Sequence, residues 1–387
     1  MMDMHSTVAI IGAGPYGLSL AARLKQQGIH PLLFGVPMKT WVDMPEDLYL
    51  RSKITSAFNP FGDYSFGEFI SEQGVIIAEN PPPIPRTLFL EYARWFLRRH
   101  KLHPIEESVN LLDRKEGGVF SVVTHVGNVY EADRVVVANG INDYVNVPHD
   151  LLQNVPEALW VHTADCADVE RFHGEHVLII GGRQAGLEWS ALLAEHGATV
   201  TAVYRHDTPD FKTPNWEILK EIIAGTLSDP AWFKHLSESE REHIVNYVRP
   251  AAKRQVEPWL KERVMRPEIA LRPKTDITRL YAEGNHVYAE VTDQRMHQTS
   301  LLGPFAKVIC ATGYQPALSR VPFLSDGLRA AITMADEYPD LSEYFESSVP
   351  RLHFTGLIAE RSFGPLMGFM NMCDASATIL CKRLCGS

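Results

Sequence analysis

Apolar positions gather along this chain in short unbroken runs followed by helical periodicity, and the arrangement occurs twice. Val8-Ala9-Ile10-Ile11 leads into Gly12-Ala13-Gly14-Pro15-Tyr16-Gly17, and Val177-Leu178-Ile179-Ile180 leads into Gly181-Gly182-Arg183-Gln184-Ala185-Gly186. A short apolar run ended by glycine reads as a parallel strand buried on both faces. The pattern predicts strands over 7–11 and 31–34 around a helix over 15–28, and strands over 176–180 and 198–204 around a helix over 184–196. It also predicts a helix over about 86–100 with Leu88, Tyr92, Trp95 and Phe96 on one face. Further strands are expected over 119–126, 129–138, 286–292 and 308–310, with a late one at Leu352-His353-Phe354. Between these, 37–101 is a long aromatic-rich connection, most of whose rings core packing explains, although some could line a ring-shaped cofactor. The stretch 207–270 turns polar and helical, with a Ser237-x-x-Glu240 capping box and apolar Ile218, Leu219, Ile222, Ile223, Ile244 and Val248; it reads as an insert or lid.

Strand, glycine turn, helix and strand in that order bring a helix N-terminus, with its free N–H groups and positive dipole end, against a phosphate. Gly12 permits the tight turn, Gly14 lets backbone approach a pyrophosphate, Pro15 begins the helix where a missing N–H costs nothing, and Gly17 lets helix and strand pack closely. An adenine dinucleotide is expected here, with Tyr16 beside it. The acid that usually ends the second strand and binds the ribose is replaced by Gly35; Asp43 and Glu46 are the nearest acids, and a solvated loop explains both equally well. In the second unit the corresponding strand ends in Tyr204-Arg205-His206. Arginine there pairs with a 2′-phosphate, so NADPH is expected rather than NADH, the alternative being a surface arginine. Arg183 stands where the second glycine usually does, so the pyrophosphate approaches differently or meets the guanidinium. Two such turns a domain's length apart imply two dinucleotides face to face, in an enzyme that moves electrons between them.

The 387 residues favour two domains, and a formal net charge of −10 without a long basic run argues against nucleic acid or an anionic membrane as partner. Met1-Met2-Asp3-Met4-His5 has no charged n-region, and no apolar stretch reaches the roughly 18 residues of a membrane span, so a cytoplasmic protein is expected. The five cysteines form no Cys-x-x-Cys or zinc pattern, and no metal is expected. Cys381 and Cys385 can share a face of a C-terminal helix, as packed or exposed thiols.

With these features the chain resembles the flavoproteins with two dinucleotide-binding domains, α/β proteins in which one Rossmann-like, three-layer ββα-type unit is inserted into another. The marks are the two turns, Asn139-Gly140 where the chain leaves the first unit, Ala311-Thr312-Gly313 where it returns, the late strand running to Gly356, and Ser362-Phe363-Gly364-Pro365, similar to a loop and helix start near the flavin. The resemblance implies an FAD domain over 1–155 and 305–387, and an NADPH domain over 156–304 with a helical insert at about 207–270. Within that group the chain is most similar to the class B flavin monooxygenases, which include flavin-containing, Baeyer–Villiger and N-hydroxylating enzymes. Trp41 resembles the tryptophan of their Gly-Gly-x-Trp segment, and Ala311-Thr312-Gly313-Tyr314 the motif of the N-hydroxylating branch. His162-Thr163-Ala164-Asp165 resembles the end of the monooxygenase fingerprint, with Pro156 and Ala158 where a phenylalanine and a glycine belong.

The resemblance implies that NADPH reduces FAD and that the reduced flavin and molecular oxygen form a C4a-(hydro)peroxide, which oxygenates a small organic substrate at a heteroatom or carbonyl. Gln184 is a candidate for the nicotinamide side, and Arg51 or Lys53 for stabilising negative charge on oxygenated flavin; exposed loop cations are the plainer account of the latter two. His162 reads as a packing residue. The competing enzyme is a flavin reductase serving a disulfide, quinone or protein acceptor, although the missing Cys-x-x-Cys speaks against the thioredoxin-reductase kind. A redox-sensing protein that holds its cofactors without turnover is the third reading, left open by Gly35 and Arg183.

Overall fold

The computed structural model describes residues 5–51, 64–74, 83–212, 217–248 and 255–386. Its first sheet is centred on His5–Ile11, which runs parallel to Leu32–Phe34 on one side and to Val129–Val137 on the other. Val129–Val137 serves two partners on its far edge. Its start pairs antiparallel with Phe120–Thr124, which continues to Val109–Arg114, and its end pairs parallel with Leu352–Phe354. Helix Pro15–Gln26 packs along the C-terminal helix Cys373–Cys385.

The second sheet is wholly parallel, in the order Ile269–Arg272, Thr199–Val203, His176–Ile180, Lys307–Cys310, Trp160–His162. Alternation sorts its side chains. Val177 and Ile179 face the helix Gln184–Glu195, whereas Leu178 faces an antiparallel meander of Thr275–Glu283, His286–Asp293 and Gln298–Phe305. The second unit therefore has helix, parallel sheet and antiparallel strands in layers, the first joins parallel and antiparallel strands through Val129–Val137, and the fold class is the expected α/β with two dinucleotide-binding-type units.

One expected boundary moves. Lys307–Cys310, assigned with residues 305–387 to the first domain, pairs on both sides inside the second sheet, so the second sheet extends at least to Cys310. The helices Glu217–Ser228, Trp232–His235 and Glu238–Val248 leave the second unit but pack against the first: Ile222, Ile223, Ile244 and Val248 join its core. The capping box forms, with the Ser237 N–H donating to Glu240 Oε2 at 2.7 Å and the Glu240 N–H to Ser237 Oγ at 3.3 Å. Helix Arg86–His100 has the expected bounds, and Phe66, Phe69, Phe89, Tyr92, Trp95 and Phe96 pack on one another as core. Among the described residues no helix is long and apolar enough to cross a membrane.

Candidate functional site

The two glycine turns have the same steric logic. A side chain at Gly12, with φ +118°, would stand 2.0 Å from the Ala138 carbonyl oxygen, and one at Gly17 only 1.8 Å from that of Gly12. Correspondingly, one at Gly181, φ +135°, would stand 2.5 Å from the Ala311 oxygen, and one at Gly186 2.2 Å from that of Gly181. Outer glycines are demanded by packing of strand against helix. At Gly14, by contrast, a Cβ would meet nothing within 4 Å. Arg183, its counterpart, is exposed at the N-cap of helix Gln184–Glu195, while Gly182 is closed off by the Tyr204 ring, 2.2 Å from a would-be Cβ.

From the first turn a cleft of about 430 Å³ opens, lined by Gly12, Gly14, Pro15, Tyr16, Trp41, Asn139, Gly140 and Gly356 among the residues expected there. Asn139 is held in place: its Nδ2 donates to Asp143 Oδ2 at 2.7 Å, and the Tyr144 hydroxyl donates to its Oδ1 at 3.1 Å. The Tyr16 hydroxyl lies 2.7 Å and 2.9 Å from the carbonyl oxygens of Met367 and Phe369, so it anchors a loop that lends Met367, Gly368 and Met370 to the cleft wall. Gly364 and Pro365 do not line the cleft. Both are buried, and a Cβ at Gly364 would stand 3.2 Å from the Phe233 ring of the helical insert. Thr312 and Gly313 are structural at the crossing between units, where Thr312 Oγ1 donates to the Asn146 carbonyl at 2.5 Å and the Asn146 N–H donates to that of Gly313 at 2.9 Å.

The cleft suits a dinucleotide. The N-terminus of helix Pro15–Gln26 opens into it beside the unfilled space at Gly14, and the buried Thr355 Oγ1 in its wall has no hydrogen-bond partner among the described residues.

A second chamber, about 320 Å³, adjoins the first and shares Trp41, Gly368 and Met370 with it. Its walls come from both units: Met44, Leu48, Leu50 and Arg51 from the first, Gln184, Ala185, Glu188 and Trp189 from the second. A polar chain crosses it. The Tyr49 N–H donates to Glu188 Oε1 at 3.2 Å, Gln184 Nε2 donates to Glu188 Oε2 at 3.1 Å, and the Glu257 N–H donates to Gln184 Oε1 at 3.2 Å. Arg51 closes the series, with Nε 3.6 Å from Glu257 Oε1 and a bond from its guanidinium to the Gln255 carbonyl at 3.1 Å. Burial pushes the Glu188 carboxyl up to about 7, opposed by the bonds from Gln184 and Tyr49. Burial also lowers Arg51, against the pull of Glu257 and Glu188. Arg51 is thus a part-buried ion-pair member, not a free loop cation, and Lys53 lies outside the described residues.

At the far margin of the second unit Arg205 is exposed, with His206 Nδ1 2.7 Å from the Asp207 carbonyl. Lys274 and Arg295 reach Asp207 at 3.3 Å and 3.0 Å, which gathers cations round that strand end. His162 is buried, its ring lowered to about 4 by desolvation, and its Nδ1 accepts the Ala164 N–H at 3.1 Å. All five cysteines are free thiols, none in either cavity wall, and no metal-binding cluster occurs among the described residues. Glu188 was missed in the sequence although it carries a signal: a carboxylate between Leu187 and Trp189 in the mostly apolar middle of a helix whose other acid, Glu195, stands at its last position.

A family model described as pyridine nucleotide-disulphide oxidoreductase matches residues 9–229. A ferredoxin–NADP reductase of Ignicoccus hospitalis is 28% identical over 222 residues, covering 56% of this chain and 61% of that protein. A probable indole-3-pyruvate monooxygenase of Arabidopsis thaliana is 24% identical over 230 residues, 57% of this chain and 55% of that one, so the matches span little more than half the relatives' length. An ornithine hydroxylase from Pseudomonas aeruginosa shares the fold at a TM-score of 0.79 and 17% identity, covering 98% of this chain and 99% of the other. Paired dinucleotide turns, the layered units around them and a family match over more than half of the sequence lead to one assignment: this chain belongs to the pyridine nucleotide-disulphide oxidoreductase family, with the fold of two-domain flavoprotein oxidoreductases.

Proposed function

We propose that this chain is an FAD-dependent, NADPH-consuming monooxygenase that oxygenates a small organic substrate at a heteroatom or carbonyl. FAD bound in the first cleft supplies hydride acceptance and, once reduced, reactivity toward molecular oxygen. The protein's part is to bind, orient and keep water out. Backbone at Gly14 and the N-terminus of helix Pro15–Gln26 receive the pyrophosphate, and Asn139, fixed by Asp143 and Tyr144, holds the cleft wall rigid. Trp41, Gly368 and Met370 form the passage from this cleft to the chamber where nicotinamide and substrate meet. On the opposite wall Gln184 is oriented by Glu188 and the Glu257 N–H, so its amide faces a defined direction. Arg205 is the residue for the 2′-phosphate.

The observation that carries this reading is the chamber itself. It joins the FAD cleft, has the volume of a small-molecule site and a largely apolar wall, and no cysteine stands in it. Such a wall suits a small substrate better than a thiol–disulfide relay. Likeness to an indole-3-pyruvate monooxygenase and an ornithine hydroxylase supports the same conclusion. The ferredoxin–NADP reductase match supports the second reading, a reductase without oxygen insertion.

The deciding experiment reduces the purified protein anaerobically with NADPH, then mixes it with isotope-labelled oxygen and a panel of amines, thioethers and ketones. Monooxygenation gives a product carrying one labelled oxygen atom per NADPH. Reoxidation without product, together with fast electron delivery to ferredoxin or a quinone, selects the reductase; protein that takes up no FAD refutes both.

A further inference from the structure

The first unit lacks the acid that ends the second strand of such folds, yet its cleft does contain a carboxylate at that end. Residues 105–107 run alongside the tip of strand Leu32–Phe34. The Ile105 N–H donates to the Leu33 carbonyl at 2.7 Å, the Gly35 N–H donates to that of Ile105 at 2.9 Å, and Phe34 and Ile105 form a parallel bridge. This added backbone pairing brings Glu107 into the cleft wall together with Phe34, Gly35 and Val36. One carboxylate oxygen is fixed, since Asn128 Nδ2 donates to Oε1 at 2.9 Å. The other, Oε2, is buried and has no hydrogen-bond partner among the described residues.

We infer that Glu107 replaces the missing strand-end acid and accepts hydrogen bonds from the adenosine ribose hydroxyls of FAD. An acceptor held on one side by an amide and unsatisfied on the other is oriented toward a donor it lacks. Gly35 then has a physical reason. With φ +114° and a would-be Cβ 3.4 Å from the Ala13 nitrogen, it turns the chain sharply from the strand tip where the chain passes close to the glycine turn. Asp43 and Glu46 are not needed: neither lines the cleft, and Asp43 is held by Lys39 at 2.7 Å.

This inference rests on FAD occupying the first cleft. The test is a cycle of binding measurements on apoprotein, read by quenching of flavin fluorescence, with FAD and with an FAD analogue lacking both adenosine ribose hydroxyls. Glu107→Ala is expected to weaken FAD about tenfold or more, as for loss of a charged acceptor. It should leave affinity for the analogue unchanged. Glu107→Gln, which keeps shape and the bond to Asn128's neighbourhood, should fall between; unaltered circular dichroism checks that both variants fold. Equal loss for FAD and analogue, or no loss for either, overturns the inference while FAD binding stands. Failure of the wild-type protein to bind FAD overturns the inference and the functional reading together.

Discussion

At the scale of single residues, the glycines of the first turn separate into two kinds with different consequences. Gly17→Ala forces a methyl to within 1.8 Å of a backbone oxygen, which no side-chain adjustment can relieve. It should destabilise the fold by about 3 kcal/mol or more, read as a lower urea midpoint. Gly14→Ala meets nothing in the protein, so stability should change by less than about 1 kcal/mol while FAD affinity falls, because the methyl occupies ligand space. If Gly14→Ala unfolds the protein instead, the turn is structural and not a cradle. Glu188 supplies a pH prediction. Its carboxyl holds its proton up to about 7 when folded, against the ordinary 4.5, so between these values the native state binds more protons than the unfolded one. Stability from this group is therefore full below about pH 4.5 and is lost as pH rises through 7, by about 3 kcal/mol. Glu188→Gln stays neutral, so it should gain on wild type by that amount between pH 4.5 and 8, roughly. His162, lowered to about 4, acts in the opposite sense but is common to both proteins and cancels in the difference. A stability difference that does not change with pH would show that Glu188 ionises freely.

At the scale of elements, parallel strands and the helices after them were legible because burial on both faces leaves unbroken apolar runs, as in Val8–Ile11 and Val177–Ile180. Of the antiparallel strands, Phe120–Thr124 and His286–Asp293 were expected over 119–126 and 286–292, but their partners Val109–Arg114, Thr275–Glu283 and Gln298–Phe305 were not. Val109–Arg114 exposes most of its positions and carries Asn110, Asp113 and Arg114, so its pattern resembles a loop, and Gln298–Phe305 is similarly open until Phe305. Each pairs as a hairpin with a strand next to it in sequence, and with so few buried positions it leaves no apolar alternation to read. Glu107 was hidden for a different reason: only the long-range pairing of 105 with the tip of Leu32–Phe34 brings it to the cleft. The Gly364-Pro365 loop was misplaced because the helical insert, expected over the second unit, covers it through Phe233. The strand end of the second unit offers a reading that can be tested. Arg205 follows Thr199–Val203 and is exposed, with Lys274 and Arg295 near the adjoining Asp207. Arg205→Ala should weaken NADPH about tenfold or more and leave NADH almost unchanged, measured by the concentration dependence of anaerobic flavin reduction. Equal losses for the two coenzymes would remove the 2′-phosphate assignment.

At the scale of the molecule, the proposed hydride transfer demands that the two units hold a fixed relation, and the polar chain in the chamber is one of the places where they are joined. Tyr49 and Arg51 belong to the first unit, Glu188, Gln184 and Glu257 to the second. Glu257 is buried, so removing Arg51 takes a counter-charge away from a carboxylate in a site of low polarity. Breaking a buried pair from one side costs more than replacing both partners. Arg51→Met should therefore lower stability by about 3 kcal/mol, and Arg51→Met with Glu257→Leu should recover much of that loss. The kinetic readout separates a junction from a flavin contact. If the pair sets the relation of the units, the single variant keeps FAD affinity but reduces more slowly at saturating NADPH, and the double variant regains stability without regaining the full rate. A double variant as unstable as the sum of its singles would mean that Arg51 and Glu257 act independently, and that apolar contacts such as those of Met44 and Leu48 with the second unit's core hold the units together instead.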